Sequence, residues 1–537
     1  GNLFFSARSL GSRGSKKQTA SQSGPRNMAL DGMRICVVGG GVMGLHTAVN
    51  LCRRGASVTV LEKEAGLGGV WRTYANDHSR VQIAEPAYRL GNTKIEEDFT
   101  TRAGMIEAMQ ATAAEIERRG GRVLLSHPVT RVRKEGESVR VVAADQLFHF
   151  DHAILSCGGL QEPRRIELQG EDVFSGDVVY GVGGAPDRVE MKGKSVVVLG
   201  MGAFAIENAR EALFRGASHV TIVARNRNLI LPRALGYLAF VASTPFGRAM
   251  DAPERRAVNG VSPELSEAFG RSFKALVRSA GTARTLPGER EKTETIPTAS
   301  DVFFIGHALG KMRVLRDRVA SLQPHSLLTK NSGERITADV VIKCFGFEDP
   351  DAWIADVVGQ RHVHSPMLLN ERMWMIKGER ARRPKGVRVD PRLQLNIPPA
   401  ATVLAEAMME LFVHYATHPQ ALRELMDSGE LPTAPLGQEW GSQVSLGMWP
   451  MMQRAGADVM ARVSDVRIAM SDSLRERYSC SQFLRENREW WRSCCARITG
   501  RDDAVPYPFE EVMEMARLEE EAASTAEKAS AVPMSRL

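Results

Sequence analysis

The chain has 537 residues, of which 43% are hydrophobic, enough for two or three domains with separate cores. Its formal net charge of +7 is concentrated in residues 1–30, where five Lys and Arg residues and no acid leave only +2 for the rest. A nearly neutral body does not favour nucleic-acid binding, and no run of about 18 apolar residues predicts a membrane-spanning helix.

Two βαβ units are the first organised elements in chain order. The first has the strand RICVVGG, a helix from Val42 to about Arg54, and the strand SVTVLEK. A helix at about 102–120 then leads to strands that alternate like an antiparallel meander. The second unit has the strand SVVVLG, a helix through Phe214, and the strand HVTIVAR. Further on, SLLTKNSGERITADVVIKCFGF predicts a hairpin and a buried strand, and the pattern is helical from about Leu404.

These elements predict an α/β fold with two Rossmann-like nucleotide-binding domains, the second inserted into the first, and a helical C-terminal extension. The expected boundaries are a disordered or targeting extension at 1–32, the first domain at 33–190 and 326–450, the second at 191–325, and the helical extension at 451–537.

The first glycine turn has the pattern G-x-G-x-x-G, formed by Gly39, Gly41 and Gly44 between a strand and a helix. The first glycine allows a tight turn, the second lets a pyrophosphate approach the helix N-terminus, and the third lets helix and strand pack closely. Glu62 ends the next strand, 23 residues after Gly39, where a carboxylate can accept hydrogen bonds from ribose hydroxyls. This turn predicts an FAD site.

The second glycine turn differs at the position that contacts the ribose. Its G-x-G-x-x-A pattern is formed by Gly200, Gly202 and Ala205. The next strand ends in Arg225, 25 residues after Gly200. A guanidinium pairs with a 2′-phosphate, which a carboxylate would repel, so this turn predicts NADPH rather than NADH. Arg227 and Arg233 are candidates to assist.

Several segments, in order over about residues 33–350, resemble the flavin-containing monooxygenases, the class B flavoprotein monooxygenases that use FAD and NADPH. EKEAGLGGVWR resembles the segment that follows the FAD ribose acid, and ARNRNLILPR resembles the one that follows the NADPH strand. FDHAILSCGG and ADVVIKCFGF resemble the two strands that end each pass of the FAD domain, with a glycine in the place of the family's A-T-G glycine. The resemblance implies that FAD contacts Glu62, Lys63, Gly68, Gly69, Trp71, Gly158 and Gly346.

The sequence departs from that family at two positions. The fingerprint F-x-G-x-x-x-H would fall on Phe174, Gly176 and Tyr180, so a tyrosine stands where the histidine is expected. The family's active-site asparagine has no clean counterpart in ANDHSRVQIAEPAYRL, which leaves Asn76 and Gln82 as catalytic candidates.

The resemblance implies that NADPH reduces FAD, that O2 adds to give a C4a-hydroperoxyflavin, and that one oxygen atom enters a small organic substrate. The acceptor would be a nitrogen or sulfur atom, or a carbonyl carbon in Baeyer–Villiger chemistry. One alternative is an NADPH-dependent flavoprotein reductase that passes electrons to a quinone or protein acceptor. A flavin halogenase, for which no W-x-W-x-I-P stretch is found, and a non-catalytic binding protein are further alternatives.

The cysteines and histidines bear on disulfides and metal sites, and the two chain ends bear on cellular location. Seven cysteines without C-x-x-C spacing and histidines without ligand spacing predict free thiols and no metal site. Ser535-Arg536-Leu537 is close to a peroxisomal address, and the basic N-terminus is compatible with a transit peptide, so the expected location is cytoplasmic or organellar. The oligomeric state is not predicted.

Overall fold

The computed structural model describes residues 29–91, 93–234, 262–280, 298–348, 351–365, 367–376, 401–436, 444–459, 461–462 and 477–530. The first 28 residues and the C-terminal tripeptide lie outside these ranges. Within them, no helix combines the length and apolar character needed to cross a membrane.

The structure has strands in several sheets. They are β1 Arg34–Val38, β2 Ser57–Leu61, β3 Arg122–Leu124, β4 Val129–Glu135, β5 Ser138–Ala143, β6 Gln146–Phe150, β7 His152–Leu155, β8 Asp177–Tyr180, β9 Ser195–Leu199, β10 His219–Ala224, β11 Ile230–Leu231, β12 Thr298–Ala299, β13 Met312–Arg316, β14 Val319–Gln323, β15 Ser326–Thr329, β16 Arg335–Thr337, β17 Val340–Lys343, β18 His362–His364, β19 Leu368–Asn370, β20 Met373–Met375 and β21 Thr433–Pro435.

Helices connect and cover these strands. They are α1 Val42–Arg53, α2 Val70–Thr73, α3 Arg102–Arg118, α4 Ala203–Phe214, α5 Pro263–Ala280, α6 Asp301–Ala308, α7 Asp351–Val358, α8 Ala401–Thr417, α9 Pro419–Asp427, α10 Val444–Ala455, α11 Cys480–Thr499 and α12 Glu510–Ser530, with short 3₁₀ turns at Glu85–Tyr88 and Pro186–Arg188.

The first domain is built on an eight-stranded sheet of order β21-β18-β19-β20-β7-β1-β2-β3. Strand β1 pairs in parallel with β2 and β7, and four of its five residues are buried. Such apolar strands need cover on both faces, which α1 and the β4-β5-β6 meander provide. The predicted βαβ unit and antiparallel meander are therefore confirmed.

The second domain is built on a five-stranded parallel sheet of order β13-β10-β9-β17-β8. The sequence assigned the strand ADVVIKCFGF to the first domain, and this assignment is wrong, because β17 lies between β9 and β8. All four β17 residues are buried. A fully buried apolar strand suits the interior of either sheet, so its composition could not decide between them.

Two crossing segments connect the domains and run side by side. Pro163 and Phe347 form an isolated antiparallel bridge, with hydrogen bonds from Arg164 N to Gly346 O at 2.9 Å and from Glu348 N to Glu162 O at 2.7 Å. Because β8 and β17 both belong to the second sheet, the insertion begins and ends near these segments rather than at the predicted boundaries of 190 and 325.

The described part of the C-terminal extension is helical, as expected. Helices α11 and α12 pack against each other, α11 packs on α4 and α6 of the second domain, and α12 packs on α5. Buried side chains of the extension, among them Trp491 in α11 and Phe509 just before α12, continue the main hydrophobic core of the molecule.

Candidate functional site

The first glycine turn is held in place by Glu62, which directly follows β2. Its buried carboxylate accepts hydrogen bonds from Gly40 N at 2.6 Å and from Glu64 N at 2.9 Å. A carboxylate offers about four lone-pair sites, so these two bonds leave acceptor capacity for a ligand. The acid that the spacing predicted therefore lies directly at the turn.

The three glycines of this turn have different surroundings. A Cβ on Gly44 would lie 1.9 Å from the carbonyl oxygen of Gly39, and one on Gly39 would lie 2.7 Å from that of Ser156. Gly41, the N-cap residue of α1, faces Gly69 instead, and its Cβ would lie 3.7 Å from the Gly69 Cα. Gly44 and Gly39 thus serve close backbone packing, and Gly41 leaves room at the helix N-terminus.

The structure brings the other glycines of this site together with one residue that the sequence analysis missed. Gly68 N donates to Gly40 O at 3.1 Å, so the Gly68-Gly69 pair lies over the turn. Gly158 follows β7, and the hydroxyl of Ser156 in the same stretch is buried without a hydrogen-bond partner. Its position at the carboxyl end of β7, two residues before Gly158, was the signal that could have identified Ser156.

Of the three other predicted FAD contacts, two lie near this turn and one lies at the second domain. Lys63 is exposed and lies 3.8 Å from a carboxylate oxygen of Glu64. Trp71 is half-buried in α2 next to the Gly68-Gly69 pair. Gly346 is exposed on the crossing segment after β17, at the second domain. Whether these residues contact FAD stays a prediction.

The second glycine turn repeats this division of roles. A Cβ on Gly200 would lie 2.4 Å from the carbonyl oxygen of Cys344, whereas one on Gly202, at the start of α4, would meet no atom within 4 Å. Ala205 is fully buried in the first turn of α4. Arg225 directly follows β10 and is exposed, so its guanidinium is available to a charged ligand at this edge of the sheet.

The two arginines proposed to assist Arg225 are placed differently. Arg227 is exposed, but Arg233 is buried between two aromatic rings, 4.3 Å from the ring centre of Phe99 and 4.0 Å from that of Trp490. Burial lowers the pKa of Arg233 to about 10, and nearby Asp301 partly offsets this. Arg233 thus lies in a packed junction between aromatic rings, whereas Arg227 is exposed like Arg225.

The two catalytic candidates also differ. Asn76 is fully buried, and its amide donates to Gly181 O at 3.1 Å and accepts from Gly184 N at 2.9 Å. Gln82 is half-buried on the same segment of the first domain. Asn76 therefore joins the first domain to a loop of the second through both of its amide atoms, and a catalytic role of either residue stays a prediction.

The tyrosine in the place of the fingerprint histidine has a defined environment. The Tyr180 ring lies between Arg165 and Lys343, whose Nζ is 4.1 Å from the ring centre, and its hydroxyl donates to Ile166 O at 3.2 Å. The buried Lys343 ammonium also pairs with Glu171 at 2.7 Å. Tyr180, the last residue of β8, thus contacts the neighbouring strand β17 and the segment that enters the second domain.

An aromatic cluster at the crossing segments contacts the second glycine turn and the first domain. Phe347 lies 5.3 Å from the ring of Tyr74 in the first domain and 5.7 Å from that of Phe204 in the second turn. Tyr74 also donates through its hydroxyl to Gln161 O. Burial raises the pKa of Tyr74, so its hydroxyl stays protonated near neutral pH. The cluster ties the second turn to the first domain.

Comparisons with known proteins agree with this architecture. The sequence model of the pyridine nucleotide-disulphide oxidoreductase family matches residues 33–238, which include both glycine turns. The β subunit of an NADP(+)-dependent formate dehydrogenase from Moorella thermoacetica is 26% identical over 357 residues, which cover 64% of this chain and 44% of that protein. Cyclopentanone 1,2-monooxygenase from a Comamonas species is 24% identical over 223 residues, 40% of each chain. The matches thus span less than half of each relative.

Solved structures show the same fold. The open crystal structure of cyclohexanone monooxygenase superposes with a TM-score of 0.51 at 14% identity, covering 83% of this chain and 98% of that one. A complex of OTEMO with FAD and NADP gives a TM-score of 0.50 at 16% identity, covering 73% and 85%. The predicted fold class and the resemblance to flavin-dependent monooxygenases are confirmed.

Proposed function

We propose that this chain, which is similar in sequence and fold to FAD- and NADPH-dependent monooxygenases, inserts one oxygen atom from O2 into a small organic substrate at the expense of NADPH. The observation that carries the proposal is the pair of glycine turns at the carboxyl ends of parallel strands in two sheets, one followed by Glu62 and the other by Arg225. A ligand-facing acid suits a ribose with free hydroxyls, and an arginine suits a 2′-phosphate.

The residues of the first turn fit FAD. Gly41 and Gly69 face each other without side chains, so a pyrophosphate can approach the N-terminus of α1 and its positive dipole. Glu62 keeps free acceptor capacity for ribose hydroxyls, and the orphaned hydroxyl of Ser156 would gain a partner.

The residues of the second turn fit NADPH. Gly202 leaves open space at the N-terminus of α4, and Arg225 is exposed where the 2′-phosphate is expected. The solved relative that holds FAD and NADP supports this pair of cofactors.

Bound FAD would supply the redox chemistry, accepting a hydride from NADPH and delivering electrons to O2. The chain itself binds the two nucleotides, orients them through the paired crossing segments, and shields the joint between the domains with Phe347 and its aromatic neighbours. In the overall balance, NADPH, a proton, O2 and substrate give NADP+, water and the oxygenated product. Nitrogen, sulfur and carbonyl-carbon acceptors all remain candidates for the site of oxygenation.

A second function, NADPH-dependent electron transfer to a quinone or protein acceptor, is favoured by one comparison. The formate dehydrogenase β subunit matches a larger share of this chain than the cyclopentanone monooxygenase does. The two functions share hydride transfer to the flavin and differ only in where the electrons go next.

The deciding experiment uses the flavin-loaded protein, NADPH and ¹⁸O2 with a thioether, a tertiary amine and a cyclic ketone. We expect one labelled oxygen atom in the product of at least one substrate and NADPH consumption that matches product formed. Hydrogen peroxide is measured in parallel to account for uncoupled turnover. If no ¹⁸O enters any of the three substrates and a soluble quinone is reduced rapidly, the chain is a reductase instead.

A further inference from the structure

The C-terminal extension is anchored to the first domain by Arg477 and Tyr478. The Arg477 guanidinium contacts Glu85 Oε2 at 3.0 Å, Ile95 O at 2.9 Å and Glu96 O at 2.7 Å. Glu85 is completely buried, so the ion pair is shielded from solvent. Breaking such a pair leaves a buried charge with less compensation, which makes Arg477 an expensive contact to lose.

The neighbouring Tyr478 is a second residue that bonds to the same domain. Its hydroxyl donates to Asp98 Oδ2 at 3.1 Å, and its ring packs on Phe483. Burial raises the pKa of Asp98, while Arg477 and the bonds from Glu85 N, Phe99 N and Tyr478 lower it. The start of the extension is therefore fixed on the first domain by both ionic and hydrogen-bond contacts.

The same extension is anchored to the second domain along α11. Asn487 donates to Asp301 Oδ2 at 2.9 Å and accepts from the hydroxyl of Tyr507 at 2.7 Å. Trp490 packs on Phe214 at the end of α4, with ring centres 6.4 Å apart. One helix of the extension thus holds α4 and α6 together.

One side chain contacts all three parts of the molecule. Arg233 belongs to the second domain and lies over the ring of Phe99 in the first domain and over the ring of Trp490 in α11. Cation–π contacts are stronger when the cation is desolvated, as the buried Arg233 guanidinium is. The contacts of Arg233 therefore resist separation of the domains.

A direct contact between the domains also involves α4. Glu207 accepts from Ser79 Oγ at 2.9 Å and from Arg80 N at 3.3 Å, and Arg210 donates to His78 O at 2.5 Å. Helix α4 begins at the second glycine turn. Any shift of α4 relative to the first domain would therefore move the predicted NADPH turn relative to the predicted FAD turn.

We propose that residues 477–499 act as an interdomain clamp that sets the geometry of hydride transfer, with Arg477 and Tyr478 as positioning residues. The inference rests on the proposed use of NADPH and a flavin, and it assigns a role to a segment outside both glycine turns. Hydride transfer from NADPH to the flavin is sensitive to sub-ångström placement, and a misplacement of about 1 Å can cost on the order of 100-fold in rate. The clamp is thus a determinant of rate rather than of binding.

The test compares Arg477→Ala and Tyr478→Phe with wild type in anaerobic stopped-flow reduction of the flavin by NADPH. We expect the limiting rate of reduction to fall about 10- to 100-fold in Arg477→Ala and less in Tyr478→Phe, because the latter loses one hydroxyl. The Kd for NADPH should stay within about twofold and flavin content should not change, because neither glycine turn is altered. Reduction by dithionite, which does not require the second domain, should proceed at the wild-type rate.

Arg517→Ala is the matched control, since Arg517 lies in the same extension but, among the described residues, bonds only Glu514 and Glu521 within α12. NADPH should reduce the flavin of this variant at the wild-type rate. Wild-type limiting rates in both clamp variants would overturn the proposal, as would an equal loss in Arg517→Ala. If Arg477→Ala loses flavin, Tyr478→Phe decides alone. A wild-type protein that NADPH fails to reduce would instead overturn the proposed function.

Discussion

The glycines of the two turns differ in what surrounds their Cα atoms, and this separates a folding role from a binding role. A methyl group on Gly44 would collide with the carbonyl oxygen of Gly39, whereas those on Gly41 and Gly202 would meet at most an ordinary van der Waals contact. Gly41 and Gly202 can therefore be changed without disturbing the protein's own packing.

We expect Gly41→Ala to fold and to lose most of its flavin, because the methyl group would occupy the approach to the N-terminus of α1. Gly202→Ala should keep its flavin and bind NADPH more weakly. Gly44→Ala should lose thermal stability whatever the ligand. Absorbance at the flavin band, NADPH titration and circular dichroism measure the three outcomes. Full flavin occupancy in Gly41→Ala would contradict the assignment of FAD to the first turn.

Arg225 is the residue on which coenzyme choice should depend. A charge-assisted hydrogen bond contributes about 1.5–3 kcal/mol, but Arg225 is exposed and screened by salt, so we expect the lower end of that range. Arg225→Ala should therefore reduce the NADPH-over-NADH preference about tenfold, chiefly by weakening NADPH. The measurement is kcat/KM for flavin reduction with each coenzyme, and Arg118→Ala, at an exposed position in α3 of the first domain, is the control. An unchanged ratio in Arg225→Ala would contradict the assignment.

At the scale of elements, the sequence could predict what depends on local pattern. Strands β1, β2, β9 and β10 and helices α1 and α4 follow from apolar runs, periodicity and glycine turns. The sheet that β17 joins was not predictable, because its partners β8 and β9 lie far away in sequence. The surroundings of Asn76 and Arg233 were hidden for the same reason: they arise only when the domains and the extension pack together.

Strand β7 begins with a buried histidine that should make stability depend on pH. Burial, reinforced by nearby Arg372 and opposed by Asp151, lowers the pKa of His152 from 6.5 to about 4. Between these values the unfolded chain binds a proton that the folded chain does not, so stability falls as pH falls from 6.5 to about 4. The difference corresponds to roughly 3 kcal/mol.

Urea unfolding of His152→Phe across this pH range tests the expectation. Phenylalanine cannot titrate and is compatible with the edge-to-face contact that His152 makes with Phe412. The loss of stability between pH 6.5 and 4 should therefore be roughly 3 kcal/mol smaller than in wild type. His149→Phe, at an exposed position in β6, should leave the pH dependence as it is. Parallel pH curves for wild type and His152→Phe would show that His152 does not contribute.

At the scale of the whole molecule, three sets of contacts connect the two nucleotide-binding domains. They are the paired crossing segments around Pro163 and Phe347, the bonds of residues 76–80 to the second domain, and the interdomain clamp. The main core cluster also runs without a break from α1 through α4 to α12. Domains joined this closely should unfold as one cooperative unit rather than in two steps.

Ligand binding to one domain should therefore stabilise the other. NADP+ at 100 times its Kd adds about 2.7 kcal/mol to a folded state that alone binds it. In a cooperative molecule, that gain raises two temperatures by the same amount. They are the temperature at which flavin is released and the midpoint of the calorimetric transition. Flavin fluorescence and scanning calorimetry on the same samples measure both.

Arg477→Ala loses the ion pair with Glu85, so the domains should be less tightly coupled in this variant. NADP+ should therefore raise the temperature of flavin release by less than it does in wild type. If NADP+ moves one calorimetric transition in wild type and leaves flavin release where it was, the domains unfold independently and neither the clamp nor the crossing segments couple them.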